Sequence, residues 1–256
     1  MTTAMPSRRP TVFVTGASQG IGAGIAVEMA RKGYDVAVSS TRPEKLSGVL
    51  DELRAAGARA LPVELQIRDQ SSIERAMAAV TGEFGELDVL VNNAAVALRK
   101  AALDFTPAEW NDVIGTNLTG TFFMSQAMGR HLIETKRAGA IISITSTHGM
   151  VAMAGRSAYG IAKAGVIHMA RMLAIEWAEH GIRVNTVAPG RLDTESPSRK
   201  LTARDPNYLT NMLNKIPLHR LCTVDDVAAA VSYLAGAQAS YITGQSILLD
   251  GGLASC

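Results

Sequence analysis

Tyr159 and Lys163 stand four residues apart, and Ser146 lies thirteen residues before the tyrosine. A phenol is a weak proton donor at neutral pH, because its ordinary pKa is about 10. An ammonium one helical turn away favours the phenolate and lowers that pKa. The hydroxyl of Ser146 can then bind the same substrate oxygen. Taken alone, a Tyr/Lys pair at this spacing is what any solvated helix face offers. Here the pair lies within Ser157-Ala-Tyr-Gly-Ile-Ala-Lys-Ala-Gly, and Ser146 ends the strand-like run Ala140-Ile-Ile-Ser-Ile-Thr-Ser. The three residues read as a proton-transfer site beside a bound hydride carrier.

The elements that would hold the carrier are at the other end of the chain. Thr11-Val-Phe-Val-Thr reads as a short buried strand. It runs directly into Gly16, Ala17, Ser18, Gln19, Gly20, Ile21 and Gly22, and then into a helix reaching to about Lys32. A strand, a glycine-rich turn and a helix N-terminus set backbone N–H groups and the positive dipole end against a diphosphate. The spacing Gly16, Gly20, Gly22 differs from G-x-G-x-x-G and has three residues in its first gap.

With both motifs in view, the chain resembles the short-chain dehydrogenase/reductase family over nearly everything from Pro10 to Gly252. The resemblance rests on Thr15-Gly-Ala-Ser-Gln-Gly-Ile-Gly22, Asn92-Asn-Ala-Ala95, Asn117, Ser146, Tyr159-x-x-x-Lys163, Pro189-Gly190 and Asp250-Gly-Gly252. Ala95 stands where the family usually has glycine. The resemblance implies a catalytic set of Asn117, Ser146, Tyr159 and Lys163. In it, Asn117 holds a local helix distortion and a water that reaches the lysine; the bland alternative is a polar residue on a partly exposed helix. It also implies that the backbone at Asn93 and Ala94 passes the cofactor ribose, and that Leu192 and Thr194 bind the nicotinamide carboxamide just past Pro189 and Gly190. The implied reaction is hydride transfer between a nicotinamide and a carbonyl/carbinol carbon. Tyr159 serves as proton donor or acceptor, Ser146 stabilises the oxygen, and Lys163 both holds the ribose and lowers the tyrosine pKa.

Composition and periodicity agree with this reading. A chain of 256 residues supports one large α/β domain. Strand-like runs at 11–15, 35–39, 58–65, 87–91, 140–145, 183–187 and 246–250 alternate with helical stretches at 43–56, 70–84, 107–136, 157–180 and 223–235. Short connections between them indicate a Rossmann-type, doubly wound parallel sheet of about seven strands with helices on both faces. Residues 1–9 read as a disordered leader, residues 10–256 as the single catalytic domain, and residues 193–215 as a substrate lid. A net charge of +2 without a long basic run argues against a nucleic-acid surface. No apolar run approaches the roughly 20 residues that span a bilayer. Two cysteines make no disulfide framework, which favours a reducing, cytoplasmic setting. Eleven methionines look like core filling, and five scattered histidines lack ligand spacing, so no metal is expected.

Cofactor type is read at the end of the second strand. An acidic residue there commonly marks NAD. The chain instead has Ser39, Ser40, Thr41 and Arg42, with no carboxylate until Glu44, while Asp35 begins the strand and lies at the wrong edge. Hydroxyls and a guanidinium suit a 2′-phosphate, so NADP(H) is favoured over NAD(H), although Arg42 can also simply begin a solvated helix. By resemblance, Gln66 takes the place of the family's adenine-side Asp, with Ile67 beside it.

The best-matched subgroup is the 3-oxoacyl-carrier-protein reductases, with sugar/polyol and steroid dehydrogenases nearby and a non-catalytic NADP-sensing regulator as the alternative of a different class. Arg130 matches an arginine that those reductases use to grip the carrier protein, but Ile175 replaces the second, which makes an acyl carrier protein partner doubtful. His148 and Arg156 fall in the loop between the catalytic strand and helix, where a cation suits an anionic substrate group; Arg156 pointing to solvent or to a neighbouring subunit is the alternative. The helices over 107–136 and 157–180 carry apolar residues such as Met124, Met128, Met169 and Ile175 beyond one sheet-facing stripe, which predicts a homo-oligomer, and by resemblance a homotetramer.

Overall fold

The computed structural model describes residues 8–192 and 207–255. Runs rich in valine and isoleucine become strands, since β-branched side chains fit a pleated and buried surface. The strands are β1 (Thr11–Val14), β2 (Asp35–Ser40), β3 (Ala60–Glu64), β4 (Val89–Asn92), β5 (Gly139–Ile144), β6 (Ile182–Pro189) and β7 (Ser246–Leu249). They form one sheet in the order β3-β2-β1-β4-β5-β6-β7, with every neighbouring pair parallel. The order reverses between β1 and β4, and a ligand crevice belongs outside the C-terminal strand ends at such a point.

Alternation along each strand divides the core into two layers. Val12 and Val14 face one way, onto α1 (Gly20–Arg31), α2 (Ser47–Ala55) and, late in the chain, a helix at Val224–Ala235. Phe13 faces the other way, onto α3 (Gln70–Phe84), onto Met124, Met128 and Leu132, and onto Val166, Met169 and Leu173. The helix expected over 107–136 is not continuous. It divides into α4 (Pro107–Ile114), a π-helical segment Gly115–Gly120, and α5 (Thr121–Glu134). It is followed by α6 (Ser157–Trp177), α7 (Tyr208–Leu213) and α8 (Val224–Ala235). Thr106 with Glu109, and Thr223 with Asp226, form capping boxes that fix where α4 and α8 begin.

The leader expected over residues 1–9 is corrected at its end. Arg8 donates to both carboxylate oxygens of Asp88 at 3.0 and 2.7 Å and pairs with Glu86, while Arg9 donates to the carbonyls of Gly33, at 3.0 Å, and Gly57. These bonds tie the two arginines to the edge of the sheet opposite the glycine turn; residues 1–7 lie outside the described residues. Asp35 is at that same edge, accepting from the Arg59 N–H at 3.0 Å, as its place at the strand start predicts. No helix among the described residues is long and apolar enough to cross a membrane.

Candidate active site

β5 delivers Ser146 to the C-terminal edge of the sheet, and the first turns of α6 bring Tyr159 and Lys163 to the same place. Ser146 Oγ accepts from the His148 N–H at 3.2 Å and lies close enough to the Tyr159 hydroxyl to act on its pKa. Lys163 is only 4% exposed. Its Nζ donates to the Ile144 carbonyl at 2.7 Å and lies 5.6 Å from the Tyr159 ring centre. Burial alone lowers its pKa from 10.5 to about 8.

One expectation is corrected here. The Tyr159 phenol is raised above its ordinary pKa, because burial outweighs the lowering by the nearby Ser146 hydroxyl and then by the Arg156 charge. Arg156 contributes its charge from a guanidinium 5.9 Å from the ring centre, while the Lys163 amine, at 5.6 Å, is turned to the Ile144 carbonyl. Arg156 is half-buried against Tyr159 and does not point into solvent. His148 also packs edge-on to that ring, with 6.4 Å between centres. Burial first, then Arg156 and Arg191, push its imidazole below the usual range.

Asn117 is fully buried inside the π-helical segment, so the reading of a polar residue on a partly exposed helix is set aside. Its side-chain amide is spent on one partner: Oδ1 accepts from the Val96 N–H at 2.8 Å, and Nδ2 donates to the Val96 carbonyl at 2.7 Å. A wide i→i+5 turn disrupts the regular ladder, which is why such segments recur at functional sites. The Asn117 carbonyl accepts from the Thr121 hydroxyl at 2.9 Å.

The glycine turn is stapled on two sides. Thr15 Oγ1 accepts from the N–H groups of Asn93 and Ala94 at 3.0 and 3.1 Å, and Asn93 Nδ2 donates to the carbonyls of Thr15 and Gly16 at 3.1 and 2.8 Å. Across the other neighbour, Ser39 accepts from Gly16 N–H at 3.3 Å through its hydroxyl and from Ala17 N–H at 2.8 Å through its carbonyl. A Cβ at Gly16 would come within 2.7 Å of the Ala94 backbone, and one at Gly22 within 2.5 Å of Asn93 Nδ2. Gln19 precedes α1 without a side-chain cap, which leaves the first N–H groups of that helix for another acceptor, and Ser18 and Ile21 flank it. Ser40 ends β2 nearly buried and accepts from the Arg42 N–H at 3.1 Å, while Thr41 and Arg42 are exposed. Gln66 is exposed, whereas Ile67 is buried in the core. Pro189 ends β6, Gly190 packs on Asp250, and Leu192 makes a short parallel bridge to Cys222. Thr194 and most of the expected lid lie outside the described residues.

Next to His148, a cavity of about 370 Å³ opens between the β5–α6 loop and the chain around α7. Its wall includes Arg191 and Lys215, neither of which the sequence singled out. Thr15 and Val96 were also missed as positioning groups. A hydroxyl at the last strand position before a glycine turn is the signal for Thr15; no local pattern marks Val96, because its partner is twenty-one residues away.

On the outer face of α5 and α6 the basis for assembly shifts. Met124, Met128 and Met169 are buried against the sheet and are not surplus. The exposed apolar residues are Phe122, Phe123, Ile161, Met172 and Ile175, the last 81% exposed. Arg130 lines a groove on this face with Phe122, Met172 and Trp177.

Residues 16–254 match the family described as enoyl-(acyl carrier protein) reductase. The chain is 38% identical over 244 residues to 3-oxoacyl-[acyl-carrier-protein] reductase FabG of Staphylococcus aureus, covering 95% of this chain and 97% of that protein. A solved structure described as a short-chain alcohol dehydrogenase from Sinorhizobium meliloti 1021 superposes with a TM-score of 0.91 at 35% identity, covering 96% of each chain. A short-chain type dehydrogenase/reductase from Mycobacterium marinum gives a TM-score of 0.88 at 34% identity, covering 95% of each chain.

Proposed function

The chain belongs to the short-chain dehydrogenase/reductase family of oxidoreductases acting on the CH–OH/C=O couple, and from that premise we propose an NADP(H)-dependent ketoreductase whose proton donor is Tyr159. The observation that carries this reading is the convergence of Ser146, Tyr159 and the buried Lys163, whose Nζ lies 5.6 Å from the Tyr159 ring centre, at the sheet edge where the glycine turn also ends. A nicotinamide dinucleotide fits the cradle, because added Cβ atoms at Gly16 and Gly22 would collide with its walls and the α1 N-terminus is uncapped. Gly16, Ser18, Gln19, Gly20, Ile21 and Gly22 would hold the diphosphate and Asn93 and Ala94 the nicotinamide ribose. Gln66 and Ile67 would lie along the adenine, and Pro189, Gly190, Leu192 and Thr194 beside the nicotinamide. Ser40, Thr41 and Arg42 would take the 2′-phosphate, which is the basis for NADP(H) over NAD(H). When bound, that group supplies or accepts the hydride.

The chain's own residues do the rest. Ser146 Oγ donates a hydrogen bond to the substrate oxygen, and Tyr159 Oη delivers its proton there as the oxygen becomes an alkoxide. A phenol is protonated at neutral pH, as reduction requires, and burial raises its pKa further. Lys163, with a pKa of about 8, can give up and regain a proton near neutrality. Asn117 fixes the Val96 segment against the same edge. The 3-oxoacyl thioesters are the substrate class favoured by the similarity to the carrier-protein reductase. A lid near residues 193–215, a cytoplasmic setting and a homotetramer complete the reading.

The test is oxidation of NADPH across a panel of ketones and 3-oxoacyl thioesters, by native protein and by Tyr159→Phe. Native turnover, lost in Tyr159→Phe with NADPH binding retained, is the expected result. Near-native turnover by Tyr159→Phe would reject the proton-donor role.

A further inference from the structure

The cavity beside His148 has walls of two kinds. Met153 and Met212 supply apolar surface, whereas Arg191 and Lys215 supply positive charge. The carboxylate on the wall, Asp250, is directed at backbone: its oxygens accept from Gly252 N–H at 2.9 Å and Ala254 N–H at 2.7 Å. Among the described residues, the Arg191 guanidinium donates to the Met153 thioether at 3.6 Å, a weak acceptor. A volume of about 370 Å³ falls in the ordinary range for small-molecule sites.

Resting on the ketoreductase reading above, we infer that this cavity takes an oxo compound with an apolar body and an anionic end, carboxylate or phosphate, held by Arg191 and Lys215. An arginine fork binds such a group bidentately, and a lysine adds a point charge. Partial enclosure by apolar walls strengthens both interactions over their value in water. Arg156 lies over the Tyr159 ring and is not part of the cavity wall, so the anion falls to the two cations that are. The lowering of the His148 pKa by Arg191 agrees with a positive field across this space.

Calorimetric titration of the NADP⁺-saturated chain with octanoate and octanamide tests the anionic end without turnover. Octanoate should bind about tenfold or more tightly than the amide, and Arg191→Gln and Lys215→Gln should each shrink that ratio severalfold or more. In kinetics the same variants should reduce the kcat/KM preference for 4-oxooctanoate over its methyl ester. Comparing 3-oxooctanoyl-coenzyme A with the N-acetylcysteamine thioester separates a phosphate source from a carboxylate source. Equal affinity for octanoate and octanamide, or a ratio unchanged in both variants, overturns the inference. Octanoate discrimination without reduction of any ketone would instead reject the ketoreductase reading and leave the anionic end standing.

Discussion

Lys163→Met should make the stability difference between variant and native chain depend on pH, by an amount set by the burial of one amine. Burial lowers the Lys163 pKa from 10.5 to about 8. The folded value is below the unfolded one, so between about 8 and 10.5 the unfolded chain holds more protons. Stability of the native chain therefore rises with pH through that window. One proton changes stability by about 1.36 kcal/mol per pH unit, so the full contribution is roughly 3 kcal/mol, of which about 2 kcal/mol is gained between pH 7 and pH 9.5. Methionine keeps a side chain of similar length and cannot titrate, and the other groups titrate in both proteins and cancel. At pH 7 the variant's advantage is reduced by loss of the bond to the Ile144 carbonyl, which costs about 1–3 kcal/mol. The difference across pH is free of that loss. Urea unfolding of both proteins at the two pH values measures it, at one protein concentration because assembly would shift both curves. A stability gap constant to within about 0.5 kcal/mol would refute the reasoning, because it would mean the amine is not held dry in the folded chain.

Arg42→Ala should weaken NADPH by about 1.5–3 kcal/mol and leave NADH nearly unchanged, since a charge-assisted hydrogen bond to the 2′-phosphate is lost. Parallel titrations decide this, and equal losses for both cofactors would reject the phosphate contact. Light scattering should find a homotetramer, and Met172→Glu, which charges the exposed apolar face of α6, should shift it to smaller species. A 27.0 kDa monomer at micromolar concentration would refute the assembly. Arg156→Ala removes the cation over the Tyr159 ring, so the phenol pKa should rise and the alkaline limb of the reduction profile should move to higher pH; an unmoved limb would show that the arginine does not act on the acid.

The sequence made the architecture readable because most strands of a doubly covered parallel sheet are short, mainly apolar runs, such as Thr11–Val14 and Val89–Asn92, that stand apart from the helices between them. The catalytic trio was readable for a related reason: a strand end and a helix start are local features, and spacing places their side chains. The exceptions are long-range. The break after Ile114 leaves no periodic trace, because it depends on Asn117 meeting Val96. Met124, Met128 and Met169 looked surplus on a helical wheel, yet α5 and α6 pack on each other as well as on the sheet, and all three are buried in that one layer. The direction of the Tyr159 shift was misjudged because the i, i+4 rule gives proximity and not aim: the Lys163 amine has a carbonyl of β5 to satisfy first.

The cations around the site differ in burial, and burial assigns each a different chemistry. An arginine keeps its charge in almost any surroundings, whereas a lysine can be brought close to neutrality by removing its water. Lys163 holds the dry position and has a pKa of about 8, so on the proposed mechanism it is the group that can exchange a proton within the working range. Arg156, half-buried over the phenol, supplies a constant field that no change near neutral pH removes. Arg191 and Lys215 stand on the wall of an open cavity, where they face a ligand and not the reacting oxygen. An arginine at position 163 would preserve the positive charge beside Tyr159 and abolish the exchange. Lys163→Arg should therefore be far less active than a purely electrostatic role for that residue would allow. Steady-state turnover of a ketone that the native chain reduces measures this, and activity within severalfold of native would show that charge alone suffices.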